Sequence, residues 1–227
     1  IKWRTDLLII YRRIYFKKGE KMTVVAIREV TPEIGKEELV ESRMRRGAGV
    51  MARHGAFTRL FKVVVGAGAG DYNLQSMYSS FEEGAIAFKN FGNDPEFHAL
   101  FRERNSNPAG AIRGPNVYRM VYGAPTKPPR PILVQRLYHM PRNSVPSVLE
   151  LAPQLDQLMQ TVDVAIGMAL PIVADDHETI GVVYRFNSME HWGSSLDQMA
   201  DNKEFQGLVS KANELGTLKQ SRMLLAI

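Results

Sequence analysis

The chain has 227 residues, 44% of them hydrophobic and 23% charged, an ordinary globular composition with length for one large domain or two small ones. It contains no cysteine, which excludes disulfides, thiolate catalysis, Cys-ligated zinc and iron–sulfur clusters and suits a cytoplasmic location. No run of about 18 apolar residues occurs, so no membrane-spanning helix is expected.

The net charge of +5 arises in residues 1–21, which hold seven Lys or Arg and two acids. Residues 22–227 keep 22 of the 29 basic and 22 of the 24 acidic side chains and are formally neutral. A nucleic-acid binder carries its basic face on the folded body, so no nucleic-acid partner is expected. The segment Lys17-Lys18-Gly19-Glu20-Lys21-Met22 back-translates to a purine-rich, ribosome-binding-like string ahead of an ATG. Met22 is therefore the expected start, with residues 1–21 as translated upstream sequence. The competing reading of this leader is a short basic amphipathic helix that touches a membrane or partner.

Residues 23–30 are rich in β-branched side chains and read as a strand that Thr31-Pro32 ends. Gly35 to about Met51 reads as a helix. Phe57–Val65 and Leu74–Tyr78 read as strands around the turn Gly66-Ala67-Gly68-Ala69-Gly70. A phosphate-binding loop needs a helix directly after its glycines, whereas Tyr72-Asn73-Leu74 leads into a strand, so a hairpin turn is expected. Ser80 is a candidate N-cap for a helix from Phe81, with Glu82 and Glu83 suited to its first turn. Asn93-Asp94-Pro95 interrupts that helix before a short second one carrying Phe97 and Leu100, and Val117–Tyr122 reads as a strand.

The run Ala124–Pro131 has four prolines in eight residues and reads as a stiff connector. Beyond it, strands are expected near 132–139, 162–170, 179–186 and 220–226, with helices near 147–160 and 189–213. Pro146 suits a helix start, while Pro153 predicts a kink or a late start.

Four segments recur in order. Val24–Arg28 answers to Ile132–Arg136, and Tyr78–Glu82 to Phe186–Glu190. Glu96-Phe97 and Leu100 answer to Glu204-Phe205 and Leu208, and Tyr118–Val121 to Ser221–Leu224. The expected organisation is a leader at 1–21, one βαββαβ unit at 22–124, a connector at 125–131 and a second unit at 132–227.

A βαββαβ unit whose third strand runs into Phe-Glu-Glu or Met-Glu-His-Trp, followed by Asp-Pro-Glu-Phe or Asn-Lys-Glu-Phe, resembles the dimeric α/β-barrel, ferredoxin-like superfamily. That superfamily includes antibiotic-biosynthesis monooxygenases and related stress-response, NIPSNAP-like and marine metagenome proteins. The resemblance covers nearly all of residues 22–227. It implies an α+β fold in which two tandem units close one barrel within a single polypeptide, with helices outside. It also implies a small-molecule enzyme or binder of the cofactor-independent monooxygenase kind, or a non-catalytic, self-associating module; a homo-oligomer fits either. Haem-degrading members use an Asn on the first strand, a Trp near the second helix and a His on it. This chain has Trp192 but no matching Asn or His.

Arg28 and Arg136 on the first strands, with Arg119 and Arg222 on the last, are candidates to aim guanidinium groups between the sheets at an acidic ligand. The alternative is pairing with Glu29 or other acids, or exposure at sheet ends. Period-two alternation places Tyr78 on one face with its counterparts Tyr184 and Phe186, a candidate aromatic lining for a planar ligand or plain core packing. Trp192 is a further candidate ligand contact. His54, His139 and Tyr78 are candidate proton-transfer groups, with surface or structural roles as the alternative for the histidines. The spacing of His54, His98, His139, His177 and His191 matches no metal motif, so no metal or cofactor is expected.

Overall fold

In a computed structural model, residues 24–227 are described; the expectation for the leader lies outside them. Eight strands close a barrel in the order β1-β3-β2-β8-β5-β7-β6-β4. They are β1 (Val24–Pro32), β2 (Phe57–Gly66), β3 (Tyr72–Tyr78), β4 (Gly110–Tyr122), β5 (Ile132–His139), β6 (Ala165–Val173), β7 (Thr179–Phe186) and β8 (Thr217–Ala226). Every pairing is antiparallel. Strands β1–β4 fill one arc and β5–β8 the other, with β2–β8 and β4–β6 as the seams, so no sheet edge is left along the barrel wall.

Alternation along each strand divides the side chains into two sets. The inward set includes Val25, Ile27, Phe61, Val63, Met77, Met120, Leu133 and Leu224. The outward set makes two cores beneath the helices. One gathers Val24, Val30, Leu60, Leu74 and Tyr78 under α1 (Glu37–Arg53), α2 (Phe81–Gly92) and α3 (Pro95–Ser106). The other gathers Ile132, Ile166, Val182, Tyr184 and Met223 under α4 (Val145–Gln160), α5 (Met189–Ala200) and α6 (Lys203–Leu215).

Local chemistry explains the helix starts. The Ser80 hydroxyl accepts from the Glu83 N–H at 3.1 Å, and Ser188 accepts from the His191 N–H at 3.1 Å. Asp94 and Asn202 cap α3 and α6 in the same way, accepting from Glu96 and Phe205 N–H groups. Asn202 thereby divides the single helix expected over 189–213 into α5 and α6. Pro146 lies in the first turn of α4, as expected, and Pro153 does not delay the start: the helix runs from Val145 to Gln160 with Pro153 inside it.

The larger difference concerns β1 and β4. Thr31-Pro32 does not end β1, and β4 begins at Gly110 rather than Val117. The pairs Val30–Ile112, Thr31–Ala111 and Pro32–Gly110 extend a two-stranded ribbon past β6, which pairs only with residues 117–122 of β4. Proline is tolerated there because one side of each strand has no ladder to complete. A bulge between Ile27 and Glu29 bends the ribbon. Gly114 sits at this bulge with φ +85°, and a Cβ there would lie 2.5 Å from the Ile27 carbonyl oxygen, so glycine is needed.

Candidate functional site

The ribbon forms one wall of a cavity of about 330 Å³ between the outer face of the first arc and α1–α3. That size is within the range of small-molecule sites. Its roof is a single face of α1, where Val40, Met44, Gly47 and Met51 recur at three- and four-residue spacing. A ladder of four phenylalanines closes the helical side. Phe88–Phe91, Phe91–Phe97 and Phe97–Phe101 meet edge to face at centroid distances of 5.2, 5.1 and 4.9 Å. Arg46 holds α1 to α3 through two bonds to Glu103 of 2.7 and 2.9 Å.

Arg28 lies on the floor of this cavity. Its Nη1 donates to the Met51 thioether at 3.5 Å, and its guanidinium carbon is 5.8 Å from the centre of the Phe91 ring. Among the described residues it has no carboxylate partner. Burial lowers its pKa and the neighbouring Tyr78 acts weakly the other way; an arginine so placed stays a cation at neutral pH. Burial pushes the Tyr78 hydroxyl up, against the charge of Arg28 and a hydrogen bond with Ser76, so it remains a neutral phenol. Arg43 and Arg104 line the same cavity. Arg43 is occupied by the Asn107 and Glu103 carbonyls, and Arg104 lies 4.6 Å over Phe101.

The four candidate arginines do not converge between the sheets. Arg28, Arg119 and Arg136 point outward. Arg119 lies 4.8 Å over the Phe81 ring, and Arg136 lies 5.2 Å over Tyr184 in the other half. Only Arg222 enters the barrel, where it donates to Gln135 at 2.8 Å and pairs with Glu29. A one-residue slip reverses which face a strand residue occupies. Arg119 lies opposite Val24 of β1, whereas Leu225 lies opposite Ile132 of β5 and Arg222 opposite Gln135, so the two arginines are offset by three residues rather than equivalent and lie on opposite faces of the wall. The space inside the barrel is about 60 Å³, room for a few water molecules. It is therefore too small for the aromatic guest expected there.

Tyr184, Phe186 and Trp192 pack in the second outer core, separated by the barrel wall from Tyr78. Burial holds the Tyr184 hydroxyl up at about 12. The cavity corresponding to the first one is about 50 Å³ here, filled by Tyr138, Leu151, Leu155 and Tyr184 among others. His191 beside Trp192 is committed to structure, its Nε2 bonding to the Val162 carbonyl at 2.8 Å while Nδ1 accepts from the Asn187 N–H. His139 is near Glu178 and Asp176 at 3.5 and 4.0 Å on the surface, away from the cavity.

His54 bonds to Asp94 at 2.9 Å at the outer end of α1 and is not part of the cavity lining either. That bond, with the Glu96 N–H and Arg53, holds Asp94 down to about 2 from an ordinary 3.8. Between these values the unfolded chain binds more protons than the folded one, so stability rises with pH. Asp94 therefore stabilises the fold fully above pH 3.8, and the contribution is lost as pH falls towards 2. In acid titrations followed by circular dichroism, Asp94→Asn should flatten this part of the stability profile.

Arg28 apart, the cavity lining was not singled out in the sequence, although two of its signals are visible there. The α1 stripe at helical spacing was one, and the repeated phenylalanines of α2 and α3 were the other. The missing signal was the β1–β4 ribbon that encloses them.

No protein-family profile matches the chain, and no curated protein matches it. Solved structures do. A candidate monooxygenase from Fusobacterium nucleatum aligns with a TM-score of 0.64 at 8% identity, over 90% of this chain and 92% of that one. An anthrone oxidase-like protein gives 0.63 at 12% identity over 92% of each chain. A candidate monooxygenase from Lactobacillus acidophilus gives 0.60 at 8% identity, over 90% and 94%. At these identities the likeness speaks to architecture, and with the closed eight-stranded barrel it shows that the chain has an α+β, ferredoxin-like barrel fold.

Proposed function

We propose that the chain binds a small aromatic or otherwise apolar acid in the cavity under α1–α3, with the acid group on Arg28. The observation that carries this reading is the cavity of about 330 Å³, apolar over most of its surface, with a guanidinium on its floor that no carboxylate of the described residues neutralises. Unpaired buried charge is costly, and an anionic ligand would remove that cost. Both parts of the occupant follow: a ring or chain for the phenylalanine wall, and one negative charge for Arg28.

As an enzyme of this shape, the protein would act on an electron-rich aromatic substrate whose deprotonated form is an anion. Arg28 would stabilise that anion by preorganised charge, with the substrate's proton passing to solvent at the cavity mouth; Tyr78, a neutral phenol outside the cavity lining, is not needed for that step. Oxidation of anthrone by dioxygen, which converts its methylene to a carbonyl and releases water, is the reaction to try first. The non-catalytic reading is favoured only for the second half, where the corresponding space is filled.

The test uses 1-anilinonaphthalene-8-sulfonate, an aromatic anion whose fluorescence rises in apolar sites. Wild type should bind it saturably. Arg28→Met should weaken binding about 10-fold or more, the worth of one charged hydrogen bond. Gly47→Leu should abolish binding while keeping or raising thermal stability. A Cβ at Gly47 meets nothing within 4 Å, and leucine in a helix gains up to about 1 kcal/mol over glycine. A folded Gly47→Leu that binds the probe with unchanged affinity would remove the assignment.

A further inference from the structure

The inside of the barrel has one end whose charges are paired and, among the described residues, one whose charges are not. At one, Arg222 and Arg113 are answered by Glu29 and Asp71, with Arg113 donating to Asp71 at 2.7 Å. At the other, beneath Pro125, Thr126 and Pro129 of the connector, two guanidinium groups line the small cavity and no carboxylate does. Arg185 of β7 is 7% exposed, and its Nη1 is buried without a hydrogen-bond partner among the described residues. Arg59 of β2 donates one bond, from Nη2 to the Arg130 carbonyl at 2.7 Å, and has no ion-pair partner among the described residues.

Burial first, then the like charges of Arg59 and Arg130, hold Arg185 down to about 10, which still leaves it cationic at neutral pH. Strand β6 makes room for it. A Cβ at Gly167 would lie 2.8 and 2.9 Å from its two terminal nitrogens. A buried cation repelled by a neighbouring one is expensive unless a counter-charge arrives, and the described chain supplies none on this side.

We propose that this cavity binds a compact monovalent anion, a halide or a small planar oxyanion such as nitrate or bicarbonate, between Arg59 and Arg185. Its volume of about 60 Å³ admits a few heavy atoms and excludes the ring-sized acid assigned to the outer pocket. The two sites are thus independent, and either can fail without the other.

The test is thermal unfolding of the full chain at constant ionic strength, replacing sodium gluconate stepwise by sodium bromide or nitrate. Gluconate is too large to enter. Wild type should show a saturable rise in Tm, on the order of 2–4 °C at saturation. Arg59→Met, at a half-buried position that the fold should tolerate, should move the midpoint of that rise at least 10-fold higher, and Arg185→Met should remove it. In crystals grown with bromide, an anomalous peak should lie between the two guanidinium groups. A wild-type Tm indifferent to the anion, or a rise that is unsaturable and equally large in Arg59→Met, would overturn the proposal.

Discussion

Phe61→Ala should lower the free energy of unfolding by about 3–5 kcal/mol, the range for emptying a buried aromatic site. Phe61 is fully buried and points into the barrel against Val63, Leu133 and Leu224. Its own strand lies at the β2–β8 seam, where Phe61 is paired with Ala226, so the ring joins the two arcs as well as filling the interior. The surrounding wall is a closed hydrogen-bonded cylinder that cannot collapse around the vacancy, which places the cost high in the range. Urea unfolding followed by tryptophan fluorescence would measure it. A loss under about 1 kcal/mol would mean that the inward set is not a packed core. Phe88→Ala is the control. Phe88 is 59% exposed at the cavity rim, and its loss should cost little stability.

Glu29→Gln should cost about 3 kcal/mol, the lower end of the range for breaking a buried ion pair by removing one partner, because Glu29 keeps some exposure. The substitution keeps the side chain's shape and removes the charge facing Arg222, whose side chain is 4% exposed. Burial alone would push the Glu29 carboxyl up. The charge of Arg222 and its hydrogen bond, then Asn73 and Arg113, outweigh this and leave it below the ordinary 4.5. A lowered carboxyl pKa means that the unfolded chain takes up the proton first as pH falls. The Glu29 contribution is therefore complete above about 4.5 and is lost below it, as pH drops through the folded value. Stability measured between pH 7 and 3 should fall more steeply for wild type than for Glu29→Gln, so that the two profiles converge in acid. Parallel profiles would show that the pair is not what stabilises that end of the barrel.

Much of the architecture was legible in the chain because its signals are local. Ser80, Ser188 and Asp94 initiate helices through hydrogen bonds to N–H groups two or three residues away. The glycine-rich segment after β2 turns back into β3, as its missing helix predicted. Alternation of apolar side chains located most strands, and the motifs after the third strands pointed to the barrel fold. Tyr78 and Arg28 were singled out in the sequence and do lie near one another, but their neighbours could not be read from it.

What the tertiary structure decided was which side of the wall each residue faces and what lies opposite. Thr31-Pro32 and Gly114-Pro115 look like strand breakers in sequence, yet both sit in a ribbon that pairs on one side only, where a missing N–H costs nothing. An odd offset in register moves a guanidinium from barrel interior to helix interface, as between Arg119, opposite Val24, and Arg222, opposite Gln135 rather than Ile132. Arg28 and Arg119 face outward, Arg222 meets Glu29 inside, and Arg185, flanked in sequence by the outward Tyr184 and Phe186, is left beside Arg59 without a counter-charge among the described residues. Cavity size is likewise a property of packing: two halves with similar patterns enclose about 330 and 50 Å³ because bulky side chains fill one and not the other. Periodicity fixes the face of a regular strand, but only closure of the barrel fixes its register, and the site depends on register.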